Sequence, residues 1–198
     1  MSSKKARSRA RPKKRKRKST ESGRSRAPVA YLALGSNRGN RRAHLERALS
    51  EIARIAPVIA VSSFYRTDPV GFEAQRAFWN AVAAIRWSRS AESLLRAMQS
   101  IEEAVGRTPS FRNGPREIDI DILDLDARRR RLRDPILPHP RMAGRRFVLA
   151  PLAELAPEWR HPETGRTAAE LLSELPARPR ATKIFSRPRG WPARRPGS

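Results

Sequence analysis

The stretch Glu-Ile-Asp-Ile-Asp-Ile-Leu-Asp-Leu, residues 117–125, alternates acidic and apolar side chains over most of its length. A period of two is typical of a β-strand with one buried face. The isoleucines are therefore predicted to face the core, while Asp119 and Asp121 point together toward the other face. Asp124 and Asp126 break this phase, and we interpret them as acids of the strand end or the following loop.

The segments before this strand predict three further strands and two helices. The strands are expected at Val29–Leu34, Val58–Tyr65 and Phe78–Trp87, where apolar and β-branched residues cluster. One helix carries its apolar residues at helical spacing up to Ile55 and is stopped by Pro57. The second helix has Ser90 as its predicted N-cap and ends at Gly106.

The segments after the strand predict a basic, Pro-containing loop at 126–138 and two helices, near 145–155 and 167–175. The order β-α-β-β-α-β suits a ferredoxin-like α+β sandwich. In that fold we expect a mostly antiparallel sheet with helices covering one side.

Most of the positive charge lies outside this predicted domain. The chain has 198 residues and a formal net charge of +24. Residues 1–28 hold 13 Lys and Arg against one Glu, and residues 176–198 hold seven basic residues and no acid. Both segments contain few large apolar side chains, so we predict disordered basic tails at 1–28 and 176–198 around one domain at 29–175.

Composition excludes several functional classes. The chain has no cysteine, so it contains no disulfide framework, thiolate zinc site or cysteine nucleophile. No apolar run approaches the ~18 residues of a membrane span, and the basic N-terminus lacks the apolar core of a signal peptide. We therefore expect a soluble, cytoplasmic protein without membrane contact. The phosphate-binding loop of the Gly-x-x-x-x-Gly-Lys-Ser/Thr type is also missing.

Asp119 and Asp121 form a candidate Mg²⁺ site. Carboxylate oxygens are ligands that Mg²⁺ accepts, and this ion often bridges to substrate phosphates. Arginines that suit phosphate oxygens precede the pair at 107, 112 and 116 and follow it at 141, 145 and 146, with His139 among them. The alternative interpretation is a charged outer face of a half-exposed sheet with solvated arginines around it.

Four blocks of sequence, in order, resemble those of the 6-hydroxymethyl-7,8-dihydropterin pyrophosphokinase family. They are YLALGSN at 31–37, SFYRTDPVG at 63–71 continuing to FWNA at 78–81, GPREIDIDIL at 114–123, and PHPRM at 138–142 continuing to RRF at 145–147 and PLAE at 151–154. The resemblance covers about residues 29–160. It implies the ferredoxin-like fold and the transfer of pyrophosphate from ATP to the pterin hydroxymethyl group, with release of AMP, in folate biosynthesis.

The resemblance also implies roles for individual residues around ATP. Asp119 and Asp121 are expected to hold two Mg²⁺ ions that bridge the ATP phosphates. The expected catalytic residues are Arg107, Arg116 and His139. The expected ATP-binding residues are Gln99, Glu102, Arg107, Arg116, Ile122, His139 and Arg145.

At the pterin end, the resemblance implies that Phe78 and Phe147 sandwich the flat ring and that Asn80 reads its hydrogen-bonding edge. Thr67, Asp68 and Val70 are expected to complete that edge. For both phenylalanines the alternative, from the residues alone, is plain core packing.

Three positions depart from the family's usual pattern. Asn113 stands where an aromatic residue often precedes Gly114, and Pro109 stands where an arginine is frequent. Asp134 stands where a basic residue is common in a loop of ambiguous alignment. These departures concern ATP affinity and the closure that we expect for the loop at 106–115.

A second hypothesis treats the chain as a basic nucleic-acid-associated protein. The run Lys13–Lys18 and the charge of both tails favour weak, non-specific contact with phosphate backbones. The alternative is that the tails are simply solvated. Within the domain, no interleaving of aromatic and basic residues resembles a single-strand binding platform.

Overall fold

A six-stranded sheet with four helices makes up the part of the chain that the computed structural model describes, namely residues 27–69, 74–111, 114–132, 134–185 and 190–192. The strands are β1 Val29–Ser36, β2 Val58–Val61, β3 Phe64–Thr67, β4 Phe78–Arg86, β5 Asp119–Leu125 and β6 Ala181–Phe185. The helices are α1 Arg41–Ile55, α2 Ala91–Val105, α3 Arg146–Leu155 and α4 Ala168–Glu174.

The strand order is β5-β1-β4-β3-β6, and β2 also pairs with β4. Each of these pairings is antiparallel. From β1 to β5 the order is β-α-β-β-β-α-β, which differs from the predicted β-α-β-β-α-β only in that one predicted strand is divided into β2 and β3. The α+β prediction is confirmed. β1 lies between β5 and β4, and this position brings the two acids of β5 close to the residues of β4.

The helix boundaries follow from capping residues that the sequence displays. The Ser90 side chain accepts a hydrogen bond from the Ser93 backbone N–H, as its predicted N-cap role requires. Gly106 ends α2 with φ of 106°, a left-handed conformation that glycine adopts without a steric penalty. Thr167 and Glu170 form a reciprocal capping box at the start of α4.

Helices cover both faces of the sheet, whereas the sequence predicts them on one side only. Residues of β1 and β5 pack with α1 and α2 on the first face, where Leu32, Leu49 and Ile120 lie in one cluster. Val82 and Leu123 pack with α3 and α4 on the second face. The one-sided expectation is wrong because the sheet presents apolar side chains on both faces, and both must be covered.

The strand predicted at Val58–Tyr65 is interrupted at two serines. Ser62 donates its backbone N–H to the Val82 carbonyl over 2.9 Å, and its Oγ accepts the Val82 N–H over 2.9 Å. At this point between β2 and β3, the Ser62 side chain takes the place of a backbone acceptor in the hydrogen bonding to β4. Both short strands still pair with β4.

β6 lies inside the segment 176–198 that the composition predicted to be disordered, so that prediction is wrong for residues 181–185. β6 pairs antiparallel with β3 and places Phe185 opposite Phe64. The unpaired backbone groups of an edge strand can accept another strand of almost any composition. Residues 1–26, which contain most of the predicted N-terminal tail, lie outside the described residues.

None of the helices in the described part of the chain is long and apolar enough to cross a membrane.

Candidate active site

β5 presents Asp119 and Asp121 on the face opposite its isoleucines. Ile118, Ile120 and Ile122 are buried in the first-face cluster, so the predicted phase of this strand is confirmed. Asp119 lies opposite Gly35 of β1, and Asp121 lies opposite Ala33. Both carboxylates therefore stand beside small residues, which leave space above the sheet.

A β-bulge explains why Asp124 breaks the phase. The register between β1 and β5 shifts so that Leu32 pairs with Ile122 and Tyr31 pairs with Asp124, which leaves Leu123 as the extra residue. Asp124 is buried within β5, and its Oδ2 accepts hydrogen bonds from Trp159 Nε1 at 3.0 Å and the Ala127 N–H at 3.1 Å. It is a structural acid of the second face, away from the paired carboxylates.

Two arginines share one oxygen of Asp119. Nη1 of Arg107 lies 3.1 Å from Oδ1 of Asp119, and Nη1 of Arg116 lies 2.9 Å from the same atom. Burial and the neighbouring Asp121 raise the pKa of Asp119, and the two guanidinium groups oppose this rise. The site therefore holds a carboxylate whose negative charge costs free energy unless cations stay close.

Glu102 supports this arrangement from α2. Its Oε1 accepts the Ile120 backbone N–H over 2.6 Å, and it also pairs with Arg107. Because β5 is an edge strand, this carboxylate satisfies a backbone donor that the sheet leaves free. Burial raises the pKa of Glu102, while the Ile120 hydrogen bond and Arg107 lower it. Glu102 thus fixes both the strand that carries Asp119 and one of its arginine partners.

Asp121 faces a second basic group from the segment before α3. Its Oδ2 lies 3.5 Å from Nη1 of Arg145 and 3.8 Å from Nε2 of His139. Burial lowers the pKa of His139, with Asp121 opposing this effect and Arg145 adding to it. Burial thus favours the neutral imidazole, in which one ring nitrogen donates a hydrogen bond and the other accepts one.

A cavity of about 740 Å³ opens above these groups and joins them to the aromatic residues. Its basic and acidic wall contains Arg107, Arg116, Asp119, Asp121, Arg141 and Arg145. Its other wall contains Thr67, Asp68, Phe78, Asn80 and Phe147. The fold thus brings ten of the predicted site residues into one space, although they come from five separate segments of the chain.

The polar edge of the second wall is already ordered. Asn80 is buried and donates from Nδ2 to Thr67 Oγ1 over 2.7 Å, which fixes its amide. Gly35 lies directly beneath it, and a Cβ added there would stand 2.9 Å from Asn80 Oδ1. The backbone of β1 can approach this amide only because residue 35 is glycine.

Four predicted ATP-binding residues do not line the cavity. Ile122 is buried in the first-face cluster, and Glu102 makes the backbone contact given above. Gln99 is exposed on α2, and His139 stands beside Asp121. Contacts of these residues with a nucleotide stay predictions, and Val70 lies outside the described residues.

Sequence reasoning did not place some cavity residues in the site, namely Ala33, Gly35, Pro140, Arg141 and Gly144. Among these, the sequence predicts only Arg141 as phosphate-compatible, and the resemblance implies no specific contact for it. Gly35 carried a usable signal, since a glycine inside a strand often marks a close approach. Ala33 carried none, because a small residue in a strand is common.

The loop before β5 contacts the turn that directly follows β1. Nη1 of Arg38 lies 3.0 Å from Oε1 of Glu117, and the Thr108 N–H donates to Oε2 of Glu117 over 3.2 Å. The Asn37 side chain accepts the Arg116 N–H over 2.8 Å. These contacts order both ends of the segment predicted to close, whereas residues 112–113 lie outside the described residues.

The paired carboxylates fit Mg²⁺. They project from one strand face as hard oxygen donors, and within the described part of the chain cationic side chains compensate their charge. Groups of three or more His, Cys, Asp or Glu able to hold a metal are absent from the described ranges. The remaining ligands would therefore come from phosphate oxygens and water, as is usual for this ion.

Comparison with known proteins points to one family. Residues 31–157 match the 7,8-dihydro-6-hydroxymethylpterin-pyrophosphokinase family. The 2-amino-4-hydroxy-6-hydroxymethyldihydropteridine pyrophosphokinase of Bacillus subtilis is 46% identical over 129 residues, which are 64% of this chain and 77% of that protein. The protein of the same name from Pseudomonas aeruginosa is 41% identical over 148 residues, which are 74% of this chain and 91% of that protein.

A solved structure supports the fold. The HPPK-DHPS protein of Plasmodium falciparum, crystallised with pteroate, superposes with a TM-score of 0.60 at 16% sequence identity. The match covers 74% of this chain and 44% of the longer solved chain. At that identity, the likeness concerns the ferredoxin-like α+β architecture alone.

Proposed function

This chain belongs to the 7,8-dihydro-6-hydroxymethylpterin-pyrophosphokinase family, and we propose that its reaction takes place in the cavity between Asp119 and Phe78. The enzyme transfers pyrophosphate from ATP to the hydroxymethyl group of 6-hydroxymethyl-7,8-dihydropterin and releases AMP, in folate biosynthesis. The observation that carries the location is the meeting of paired carboxylates, arginines and an aromatic, amide-bearing wall in one cavity.

The basic wall is the proposed site for the ATP phosphates. Arg107, Arg116, Arg141 and Arg145 present guanidinium groups whose fork geometry matches phosphate oxygens. Burial and the neighbouring Arg141 lower the pKa of Arg145, so an anion placed here relieves repulsion between cations. Gln99, Glu102, Ile122 and His139 are proposed to surround the rest of the nucleotide.

The other wall is the proposed pterin site. Phe78 and Phe147 line this wall, where aromatic rings can stack on a flat heterocycle, and Asn80 has an acceptor and a donor for its edge. Thr67, Asp68 and Val70 complete this proposed contact. The hydrogen bond between Asn80 and Thr67 supports the assignment, because a fixed amide can read a donor–acceptor pattern without losing rotamer freedom.

Asp119 and Asp121 are the proposed holders of two Mg²⁺ ions. Bound there with ATP, the ions would neutralise phosphate charge and make the attacking hydroxyl more acidic. The chain's own contribution is to keep both carboxylates on one strand face. It also supplies arginines that pair with the carboxylates here and that can pair with the ATP phosphates when ATP binds.

The geometry supports a direct transfer between two bound substrates. The pterin hydroxymethyl oxygen attacks the β-phosphorus, and the bond from that phosphorus to the α,β-bridging oxygen breaks. AMP leaves with the bridging oxygen, and the hydroxyl proton passes to water. The side chains act by positioning and by electrostatic stabilisation, which together account for most catalysis of phosphoryl transfer.

The basic tails are a separate matter. We propose that they make weak, non-specific contact with nucleic acids, a view that rests on their composition alone. A protein that lacks residues 1–28 should lose retention on immobilised RNA at low salt and keep its turnover. Equal retention of both proteins would refute the proposal. A cytoplasmic location likewise stays a prediction from the sequence.

The test of the reaction site is a product analysis. The purified chain is incubated with ATP, Mg²⁺ and the hydroxymethyl pterin, and the nucleotide products are separated. We expect AMP only when the pterin and Mg²⁺ are both present, and its loss in an Asn80→Leu variant that still binds ATP. An Asn80→Leu variant with normal turnover would place the pterin elsewhere, while ADP as the product would contradict the reaction itself.

A further inference from the structure

A second cavity, of about 610 Å³, lies on the opposite face of the strands that form the proposed pterin wall. Arg66 and Trp79 line it, whereas their neighbours Thr67 and Asn80 line the catalytic cavity. Successive side chains of a strand point to opposite faces, so β3 and β4 form a shared partition between the two spaces. The second cavity is therefore a separate site.

Three arginines converge on this cavity. Arg41 enters from the first turn of α1, Arg66 from β3 and Arg76 from the segment before β4. Among the residues that the structure describes, none of the three forms an ion pair with a carboxylate. Burial, followed by the charges of Arg76 and Arg66, lowers the pKa of Arg41. Arg66 and Arg76 thus repel the Arg41 guanidinium, and none of the described residues that line the cavity is an acid.

The position of Arg41 is fixed rather than left to solvent. Its Nη1 donates to the Ala77 carbonyl over 2.8 Å, and its guanidinium lies 4.8 Å from the centre of the Trp79 ring. Phe185 of β6 packs against Trp79 with ring centroids 5.2 Å apart, and it remains 43% exposed. The cavity therefore has an ordered cationic side and a partly exposed apolar side.

We propose that this cavity binds an anion that carries two or more phosphate groups. Several guanidinium groups around one concave space can each bind oxygens of a different phosphate group. A ligand with several phosphates therefore fits this cavity better than a ligand with a single carboxylate. The volume falls within the range of ordinary small-molecule sites. The exposed Phe185 ring adds an apolar contact that a ring-bearing phosphate ester can use and an inorganic phosphate cannot.

The test is isothermal titration calorimetry of the full chain with inorganic tripolyphosphate at physiological salt and in EDTA. Arg107→Gln/Arg116→Gln serves as the background, because these changes weaken phosphate binding in the catalytic cavity. Adding Arg66→Gln/Arg76→Gln should weaken the remaining binding by about 30-fold or more, since each charged contact is worth about a factor of ten. Both added positions are exposed, and unchanged thermal unfolding would verify that the fold is retained.

The matched control adds Arg47→Gln/Arg96→Gln, which removes the same charge from exposed helical positions outside the cavity. We expect this control to change the affinity by less than about threefold. An equal loss of affinity in the control and in the cavity variant would show that net charge alone causes the loss, and it would overturn the proposal. Unchanged affinity in the cavity variant would overturn it as well.

Two further ligands identify the chemistry. Uridine diphosphate carries two phosphates and a ring, and tighter binding than inorganic pyrophosphate would assign the site to a phosphate ester. The reverse order would assign it to an inorganic phosphate. A short oligoglutamate peptide that binds the cavity as tightly as tripolyphosphate would contradict the phosphate class.

Discussion

Nη1 of Arg116 lies 2.9 Å from Oδ1 of Asp119, and Nη1 of Arg107 approaches the same oxygen to 3.1 Å. The chain thus neutralises one of its paired carboxylates with the arginines that we propose for the phosphates. A phosphate entering the cavity competes with Asp119 for these guanidinium groups, and a cation competes with them for the carboxylate. Binding of ATP with Mg²⁺ is therefore expected to exchange partners within one compact network.

Loss of either carboxylate should abolish turnover. Asp119→Ala and Asp121→Ala remove proposed ligands of the metal ions, and we expect turnover to fall by about 10³-fold or more with the fold intact. Steady-state AMP production and circular dichroism check the two parts. Asp126→Asn is the control, because this exposed acid lies in a turn with φ of 57°, which Asn tolerates. Near-normal activity of either alanine variant would refute the metal assignment.

Removal of a single arginine from the network should impair the chemical step. Arg116→Gln deletes a group proposed to stabilise charge on the transferred phosphates, so we expect kcat to fall by about 10²-fold. Single-turnover measurements separate this effect from ATP binding. Arg128→Gln, at an exposed position outside the cavity, should leave kcat unchanged. A variant that changed only the KM for ATP would limit Arg116 to ground-state binding.

A methyl group at residue 35 should affect the pterin alone. The Cβ of Gly35→Ala would lie 2.9 Å from Asn80 Oδ1, so the amide must shift away from the edge that it reads. We expect the KM for the pterin to rise about tenfold, which corresponds to about 1.4 kcal/mol. The dissociation constant for ATP serves as the internal control, because the atoms within 4 Å of the added Cβ belong to Asn80 and Phe78 and not to the phosphate wall. An unaltered pterin KM would argue against Asn80 as the residue that reads the ring.

Glu154 should make stability depend on pH. Its carboxylate accepts hydrogen bonds from Ser63 Oγ and Tyr65 OH, each over 2.7 Å, and ties α3 to β3. Burial alone would raise the pKa of Glu154, but the hydrogen bonds from Tyr65 and Ser63 hold it below the ordinary value. A lowered pKa in the folded state means stability that is present above the unfolded pKa of about 4.5 and lost as the pH falls from there through the folded pKa.

The Glu154→Gln variant should remove this dependence. We expect the free energy of unfolding to drop by about 1–2 kcal/mol at pH 7 and the difference from the unmodified chain to shrink toward pH 3. Urea unfolding at several pH values measures both quantities. Glu158→Gln is the control, since Glu158 is exposed and lies in the turn that follows α3. A constant difference at all pH values would show that the carboxylate charge is not the cause.

Much of the fold could be predicted because its signals are local. The alternation in β5 and the spacing of Leu45, Leu49 and Ile52 are visible in short windows, as are the caps at Ser90 and Gly106. The site residues were accessible in another way, through the four blocks that resemble one family. The blocks identified Asp119 and Asn80, but they did not show that both residues line one cavity.

The interruption at Ser62, the bulge at Leu123 and the strand β6 could not be predicted from local pattern. Each depends on which backbone group a distant segment offers. β6 forms because β3 has a free edge, although its own composition resembles that of a disordered tail. The same holds for Glu102, whose buried carboxylate is explained by the Ile120 N–H at the sheet edge and by the pair with Arg107.

The sequence by itself determined the strand that carries the two carboxylates, the helices and the family, because hydrophobic period, caps and motifs reside in neighbouring residues. Only the tertiary structure decided that α3 and α4 cover the second face, that Arg116 rests on Asp119, and that Arg41, Arg66 and Arg76 converge on a second cavity. These relationships join residues far apart in the chain. The free energy of each contact depends on the burial of the side chains and on the charges around them. Both are set only when the sheet brings the distant segments together.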